Sequence, residues 1–179
     1  MKAAWILALL VAGCARAPGP QSDWEKQNAQ RLDGSEEQPA PPAYPAASDL
    51  IEFYVGPTVG FKFFVDPRSI SVGRDKVVRY TLVARSQSGV ENVAYEGMRC
   101  PEEYRIYAVG RADRSWSLRP GEWRPTQRGS AISSQYALAR NFFCPHRDAV
   151  KTVAEAVDAL QRGAHPAVDV QRSMGGGSR

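Results

Sequence analysis

Apolar and polar residues alternate in short runs along most of the chain after residue 49, and the runs end at turn-forming residues. In the run Val77–Arg85, Val78, Tyr80 and Leu82 fall on one side, and Arg79 and Thr81 fall on the other. This period of two predicts a β-strand with one solvated face. Because the connections are short, we expect consecutive hairpins and an antiparallel sheet. The other predicted strands are Leu50–Val55, Phe61–Val65, Ile70–Val72, Val90–Cys100 and Tyr104–Gly110.

The pattern changes to a helical period after Ser130. One apolar stripe consists of Ile132, Tyr136, Ala139 and Phe143. A second stripe consists of Val150, Val153, Val157 and Leu160, and Gly163 is placed to end that helix. Strands followed by helices predict an α+β domain, in which an antiparallel sheet of hairpins carries two C-terminal helices on one face.

The first thirteen residues follow the pattern of an export signal. Lys2 precedes an apolar run that extends from Ala3 to Val11. About ten apolar residues are too few to span a hydrocarbon layer of about 30 Å, but they match the apolar region of a signal peptide. A buried N-terminal helix is the competing interpretation, and it lacks polar flanks and a capping residue. We therefore predict a signal peptide at residues 1–13.

This signal ends in Val11-Ala12-Gly13-Cys14, which resembles a bacterial lipobox. Lipoprotein signal peptidase cuts before such a cysteine once its sulfur carries diacylglycerol. An ordinary cut after Ala17 is the alternative, but it would place Pro18, with its fixed φ and no N–H, directly after the bond. We expect a lipid on Cys14 to hold the chain on a membrane.

Composition divides the rest of the chain into three parts. Residues 14–48 hold the lipidated cysteine and a proline-rich stretch with few large apolar residues, which predicts a disordered tether. Residues 49–164 form the predicted globular α+β domain, which is long enough for one core. Residues 165–179 are polar and glycine-rich, and we expect a disordered tail.

Three cysteines are an odd number for an exported protein. If Cys14 carries lipid, Cys100 and Cys144 remain as an even pair in an oxidising compartment. A bond between them would close a loop of about 45 residues and stabilise the fold by roughly 4 kcal/mol. The alternative is two buried free thiols, because sequence does not show whether the two Cα atoms approach each other.

Charge and aromatic residues indicate a candidate binding surface. From residue 50 onward the chain has 19 basic and 13 acidic residues. Arg99, Arg105, Trp116 and Trp123 lie in a stretch rich in arginine and aromatic residues, a combination that suits phosphate, carboxylate or glycan recognition. The alternative is that each arginine forms an ordinary surface ion pair. The export signal disfavours nucleic acid as a partner.

Motifs for chemistry are weak throughout. The two histidines, His146 and His165, lack carboxylates at ligand spacing, so we expect no metal. We find no nucleophile elbow and no phosphate-binding glycine loop, so we expect neither a catalytic residue nor a cofactor. In the strand after Val90, we expect Tyr95 to pack in the core, Glu96 to pair with an arginine and Gly97 to permit close packing or a bulge.

The middle of the chain resembles the cryptic neisserial protein-like family, a group of exported proteobacterial proteins. The resemblance covers roughly residues 49–163. It implies an envelope protein of a Gram-negative bacterium, and it supplies no catalytic residues to transfer. The residues that carry it are Arg79–Val83, Asn92–Cys100, Glu103–Ala108, Trp116, Trp123 and Phe142–Pro145.

We therefore expect a lipid-anchored envelope protein that faces the periplasm and acts by binding or structural interaction, not by catalysis. Its partner would be an anionic envelope component or another envelope protein. Ala15 after the lipidated cysteine favours the outer membrane. The alternative is a hydrolase of envelope polymers with a dispersed active site. An enzyme should have a pocket with titratable groups in hydrogen-bond reach, whereas a binding module should have a patch of arginines and aromatic residues.

Overall fold

The protein is described by a computed structural model, which covers residues 40–56, 60–119, 121–126 and 133–168. Seven strands in this part of the chain form one antiparallel sheet: β1 (Ile51–Phe53), β2 (Phe61–Val72), β3 (Val77–Ser86), β4 (Glu91–Arg99), β5 (Glu103–Gly110), β6 (Trp116–Leu118) and β7 (Arg124–Pro125). The first six lie in the order β1-β2-β3-β4-β5-β6. The short β7 pairs with β5 beside β6.

The strand β2 differs from its prediction because it is continuous. We predicted two strands separated at Asp66-Pro67, but the ladder with β3 crosses this point with a shift in register between Asp66 and Ser71. The hydroxyl of Ser69 donates to the Asp66 carbonyl at 2.7 Å and accepts from the Thr81 amide at 2.7 Å. A side chain therefore supplies the hydrogen bonds that the ladder lacks at the irregularity. Strands β6 and β7 were not predicted.

Two helical regions follow the sheet. Helix α1 (Ser134–Leu138) continues into a π-helical turn, Ala139–Phe143, and helix α2 spans Val153–Gln161. The side chains of Ser133 and Thr152 cap the two helices by accepting from the amides of Tyr136 and Glu155. Gly163 has a φ of 81°, as expected for the residue that ends a helix.

The stripe predicted for the second helix is partly wrong. Val150 is buried but precedes α2, and Val153 is exposed. The buried residues of α2 are Ala156, Ala159 and Leu160. In the first predicted stripe, Ile132 lies outside the described residues.

The larger core lies between the sheet and the helical regions, which confirms the α+β fold with helices on one face. Val78, Tyr80 and Leu82 point into it from β3, as their alternation predicted. Other members include Phe53, Val65, Met98, Leu138, Phe142, Phe143, Ala156 and Leu160.

The opposite face of β3 is also buried, so the prediction of a solvated face is wrong for Arg79 and Thr81. Smaller clusters on Phe64, Val83 and Val93, and on Tyr95, Tyr107 and Ala108, lie away from the main core. The indole of Trp116 packs against both clusters, and Tyr44 and Leu50 pack against the first. Alternation shows which residues share a face, but the chain that covers a face comes from elsewhere in the sequence.

Part of the predicted tether and of the predicted tail is ordered. The Pro42 carbonyl accepts from Trp116 Nε1 at 2.8 Å, and the Pro45 carbonyl accepts from Arg114 Nη2 at 3.1 Å, so residues 40–48 belong to the folded domain. At the other end, the His165 amide donates to the Asn141 carbonyl at 2.7 Å. The predicted signal peptide, Cys14, tether residues 15–39 and tail residues 169–179 lie outside the described residues. Among the described residues, no helix is long and apolar enough to cross a membrane.

A disulfide bond joins Cys100, which follows β4, to Cys144, which follows the π-helical turn. Their Cα atoms lie 5.6 Å apart, and the two residues are separated by 44 positions. The bond therefore links the sheet to the helical region, and it joins the two cysteines that the cysteine count left as a pair.

Candidate functional site

Arg99, Arg105 and Trp123 come together on the sheet face that points away from the helices. The guanidinium carbon of Arg99 lies 4.1 Å from the centre of a Trp123 ring, and that of Arg105 lies 5.6 Å from it. The strand register brings the two arginines together. Arg105 of β5 pairs with Gly97 of β4, and Arg99 lies two residues after Gly97 on β4, so both side chains point to the same face. We call these three residues the arginine–tryptophan cluster.

Tyr107 continues the cluster across the sheet. Its ring lies 5.4 Å from the Arg105 guanidinium and 5.8 Å from that of Arg79. The ring fits directly over Gly97, where an added Cβ would lie only 2.5 Å from the Tyr107 hydroxyl oxygen. The prediction that Gly97 permits close packing is therefore confirmed.

A buried ion pair borders the cluster. The Arg79 guanidinium donates to both carboxylate oxygens of Asp75, at 3.1 and 2.5 Å, and the two side chains are 1% and 8% exposed. Asp75 also accepts from the Val77 amide at 3.1 Å, which holds the carboxylate at the turn between β2 and β3. A Cβ at Gly73 would lie 2.2 Å from an Asp75 oxygen, so the pair requires glycine there. The pair was not predicted from the sequence, where its signal is an acidic residue in a turn four positions before a strand arginine.

Trp116 does not join the cluster. Its indole nitrogen donates to the Pro42 carbonyl, and its ring lies 5.2 Å from the ring of Tyr44. The ring of Trp116 lies 6.4 Å from that of Tyr95, which lies 5.5 Å from that of Tyr107. Two tyrosine rings therefore separate Trp116 from Arg105, which contacts Tyr107. Trp116 therefore holds residues 42–44 on the sheet, and the predicted binding surface reduces to Arg99, Arg105 and Trp123.

Glu96 lies on the opposite face of β4, inside the main core, and is 1% exposed. Its carboxylate accepts from the Tyr80 hydroxyl at 3.0 Å and from the side-chain amide of Gln135 at 3.1 Å. The prediction that Glu96 pairs with an arginine is wrong, because the arginines of β3 and β5 that neighbour it in register point to the other face. Burial raises the pKa of Glu96 to about 7, although the two hydrogen bonds lower it. Burial, followed by the nearby Glu96 charge, raises the pKa of Tyr80 well above its usual value.

Comparison with known proteins identifies the family of this chain. A family model described as CNP1-like matches residues 29–161. The chain belongs to the CNP1-like family. This match confirms the resemblance found in the sequence, and it includes the whole sheet, both helices and the disulfide. No curated protein and no solved structure matches the chain.

Both histidines of this CNP1-like domain lie near the helical region. Nε2 of His165 is 3.1 Å from a carboxylate oxygen of Glu155, and Nδ1 accepts from the Ala167 amide. His146 is exposed in the turn after Cys144. Within the described ranges, no three metal-ligating side chains group together. The expectation that the protein needs no metal or cofactor remains a prediction.

A strained turn follows the disulfide of the CNP1-like domain. His146 and Arg147 have φ values of 53° and 67°, and the Asp148 amide donates to the Pro145 carbonyl at 3.1 Å. Two successive residues with positive φ form a type I′ turn, which favours glycine, asparagine and aspartate. For other residues the left-handed conformation costs roughly 1–2 kcal/mol each.

Proposed function

We propose that this CNP1-like protein is a lipid-anchored envelope protein that binds an anionic envelope component through the arginine–tryptophan cluster. The observation that carries the proposal is the approach of two guanidinium groups, from Arg99 and Arg105, to the single indole of Trp123. Contact with an aromatic face keeps a guanidinium plane in a fixed orientation. Such a plane can donate two parallel hydrogen bonds to one carboxylate or phosphate.

The positive charge of the chain after residue 49 supports the same partner. From residue 50 onward, basic residues exceed acidic residues by six, and this excess would attract an anionic polymer or surface. The phosphates of lipid A and the carboxylates of peptidoglycan are among the negatively charged groups of the bacterial envelope. A cluster of arginine forks fits either group.

The anchor is the second part of the proposal. Cys14 at the end of the lipobox would carry the lipid, and the proline-rich residues before position 40 would let the domain reach a partner at some distance from the bilayer. Ala15 supports delivery to the outer membrane, with the domain facing the periplasm.

Binding to isolated envelope components tests the cluster. The full-length chain in detergent is pelleted with purified peptidoglycan sacculi, and lipid A micelles are added as competitor. We expect Arg99→Gln/Arg105→Gln to weaken binding about tenfold or more, since each charged hydrogen bond contributes roughly 1.5–3 kcal/mol. Arg74→Gln/Arg162→Gln removes the same charge from exposed positions and serves as the control. Equal binding by the cluster variant and the control would refute the proposed surface.

Metabolic labelling tests the anchor separately. Wild-type cells should incorporate radiolabelled palmitate into the protein, and Cys14→Ser should abolish the label and release the protein from sedimented membranes. Unchanged labelling of Cys14→Ser would reject lipidation at this residue without bearing on the cluster.

The hydrolase alternative could use a pair of titratable groups in the main core. Glu96 and Tyr80 lie in hydrogen-bond contact, and a carboxyl group with a pKa near 7 resembles a general acid. Both side chains are almost fully buried beneath α1, so a polymer substrate could not contact them in this conformation. We therefore interpret the pair as structural, and absence of catalysis stays a prediction.

A further inference from the structure

A cavity of about 400 Å³ opens beside the disulfide, within the size range of small-molecule sites. The β4–β5 connection, the helical region and the turn after Cys144 all contribute to its wall. It shares no lining residue with the arginine–tryptophan cluster. Part of the wall is apolar, with Pro101, Ala139 and Val168, part is basic, with Arg140, His146 and Arg147, and Glu102 contributes one carboxylate.

Two of the basic side chains are oriented by neighbours in the same cavity. Arg140 Nη1 donates to the Tyr136 hydroxyl at 2.8 Å, and the Tyr136 ring also lines the cavity. Arg147 Nη1 lies 3.9 Å from a carboxylate oxygen of Glu102, and both side chains are more than half exposed. An exposed ion pair of this length contributes little stability, so an incoming anion can replace it at small cost.

The strained turn indicates that His146 and Arg147 are placed for a purpose other than stability. Glycine or asparagine would adopt these backbone angles more easily, yet two large side chains occupy them and line the cavity. Two bonds fix the segment that contains the turn. The Cys100–Cys144 disulfide lies just before the turn, and the Val150 amide donates to the Phe143 carbonyl at 3.0 Å across it. Strain that the surrounding structure maintains is typical of binding sites.

We propose that this cavity binds a small amphipathic anion. Its carboxylate or phosphate would contact the guanidinium groups of Arg140 and Arg147, and its apolar body would pack on Pro101, Ala139 and Val168. This site is independent of the surface proposed above, because the two sets of residues differ and either site can fail alone.

Ligand-observed saturation-transfer NMR on the full-length chain tests the site. Benzoate and phenyl phosphate are the anionic probes, and benzamide is the neutral control of equal shape. We expect saturable binding of at least one anion, no comparable binding of benzamide, and about a tenfold loss of affinity in Arg147→Gln and in Arg140→Gln. Arg74→Gln changes an exposed arginine that does not line the cavity, and this variant should bind like wild type. A response to benzoate alone identifies carboxylates as the ligand class, and a response to phenyl phosphate alone identifies phosphates.

Three outcomes would overturn the proposal: no binding of either anion, equal binding of benzamide, or binding that Arg147→Gln leaves unchanged.

A second variant separates ligand binding from folding. His146→Asn/Arg147→Gly introduces the dipeptide that a type I′ turn prefers, so we expect the melting temperature to rise by several degrees while anion binding is lost. A rise in melting temperature with retained binding would show that the turn does not serve the cavity.

Discussion

The Tyr80 hydroxyl donates to the Glu96 carboxylate at 3.0 Å across paired strands, inside the main core. Because burial raises the Glu96 pKa from 4.5 to about 7, the folded state holds this proton over a range in which the unfolded state has released it. The contribution of Glu96 to the free energy of unfolding should therefore be highest at or below pH 4.5. It should fall as pH rises from 4.5 to about 7 and stay constant above that. The full effect is about 3 kcal/mol.

Glu96→Gln tests this dependence, since glutamine keeps the shape and an acceptor for Tyr80 but carries no charge. Urea unfolding of both proteins between pH 5 and pH 8 isolates the contribution of Glu96, because other groups titrate in both. The variant should gain stability relative to wild type as pH rises, by about 1–3 kcal/mol at pH 8. A difference that is constant with pH would contradict the raised pKa.

The buried pair of Arg79 and Asp75 gives a second prediction. Asp75→Asn leaves a buried guanidinium beside a neutral amide, so we expect a loss of about 3–5 kcal/mol in the free energy of unfolding. Arg79→Met should cost a similar amount, and the double variant should cost at least about 2 kcal/mol less than the two single losses combined. The exposed pair of Arg162 and Asp158 is the control, with an expected coupling below about 1 kcal/mol. Additive losses at Arg79 and Asp75 would show that the ion pair does not couple them.

How far the sequence predicts this fold depends on whether a feature is local. The alternation of Val78, Tyr80 and Leu82 placed one face of β3 in the core, because period and face are properties of the strand itself. Burial of Arg79 was not predictable in the same way. It depends on a carboxylate from the preceding turn and on aromatic side chains from β4 and β5.

The candidate binding surface was likewise predictable only in its local features. The cysteine count predicted the bond between Cys100 and Cys144, and composition selected Arg99, Arg105 and Trp123. Composition could not separate Trp116 from Trp123, because their environments differ through Pro42, more than seventy positions from Trp116 along the chain. The cavity beside the disulfide depends on two unusual φ values, which no residue pattern indicated.

Loss of the disulfide gives the third prediction. Replacing both Cys100 and Cys144 by alanine opens a loop closed across 44 positions, so we expect a loss of about 4 kcal/mol in the free energy of unfolding. Urea unfolding with and without reductant measures the effect, and reductant should destabilise the wild type but not the variant. Peptide mapping without reduction should recover one linked pair. Recovery of both thiols in alkylated form would contradict the bond.

The contact of Trp116 with Pro42 gives the last prediction. Trp116→Phe keeps an aromatic ring beside Tyr44 but removes the N–H that donates to the Pro42 carbonyl at 2.8 Å. Loss of a hydrogen bond worth about 1 kcal/mol should loosen residues 43–50 and speed their amide exchange roughly fivefold. Hydrogen-exchange mass spectrometry of that peptide measures the change. Trp123→Phe is the matched control, because Trp123 contacts Arg99 and Arg105 instead. Equal exchange in both variants would show that Trp116 does not hold this segment on the sheet.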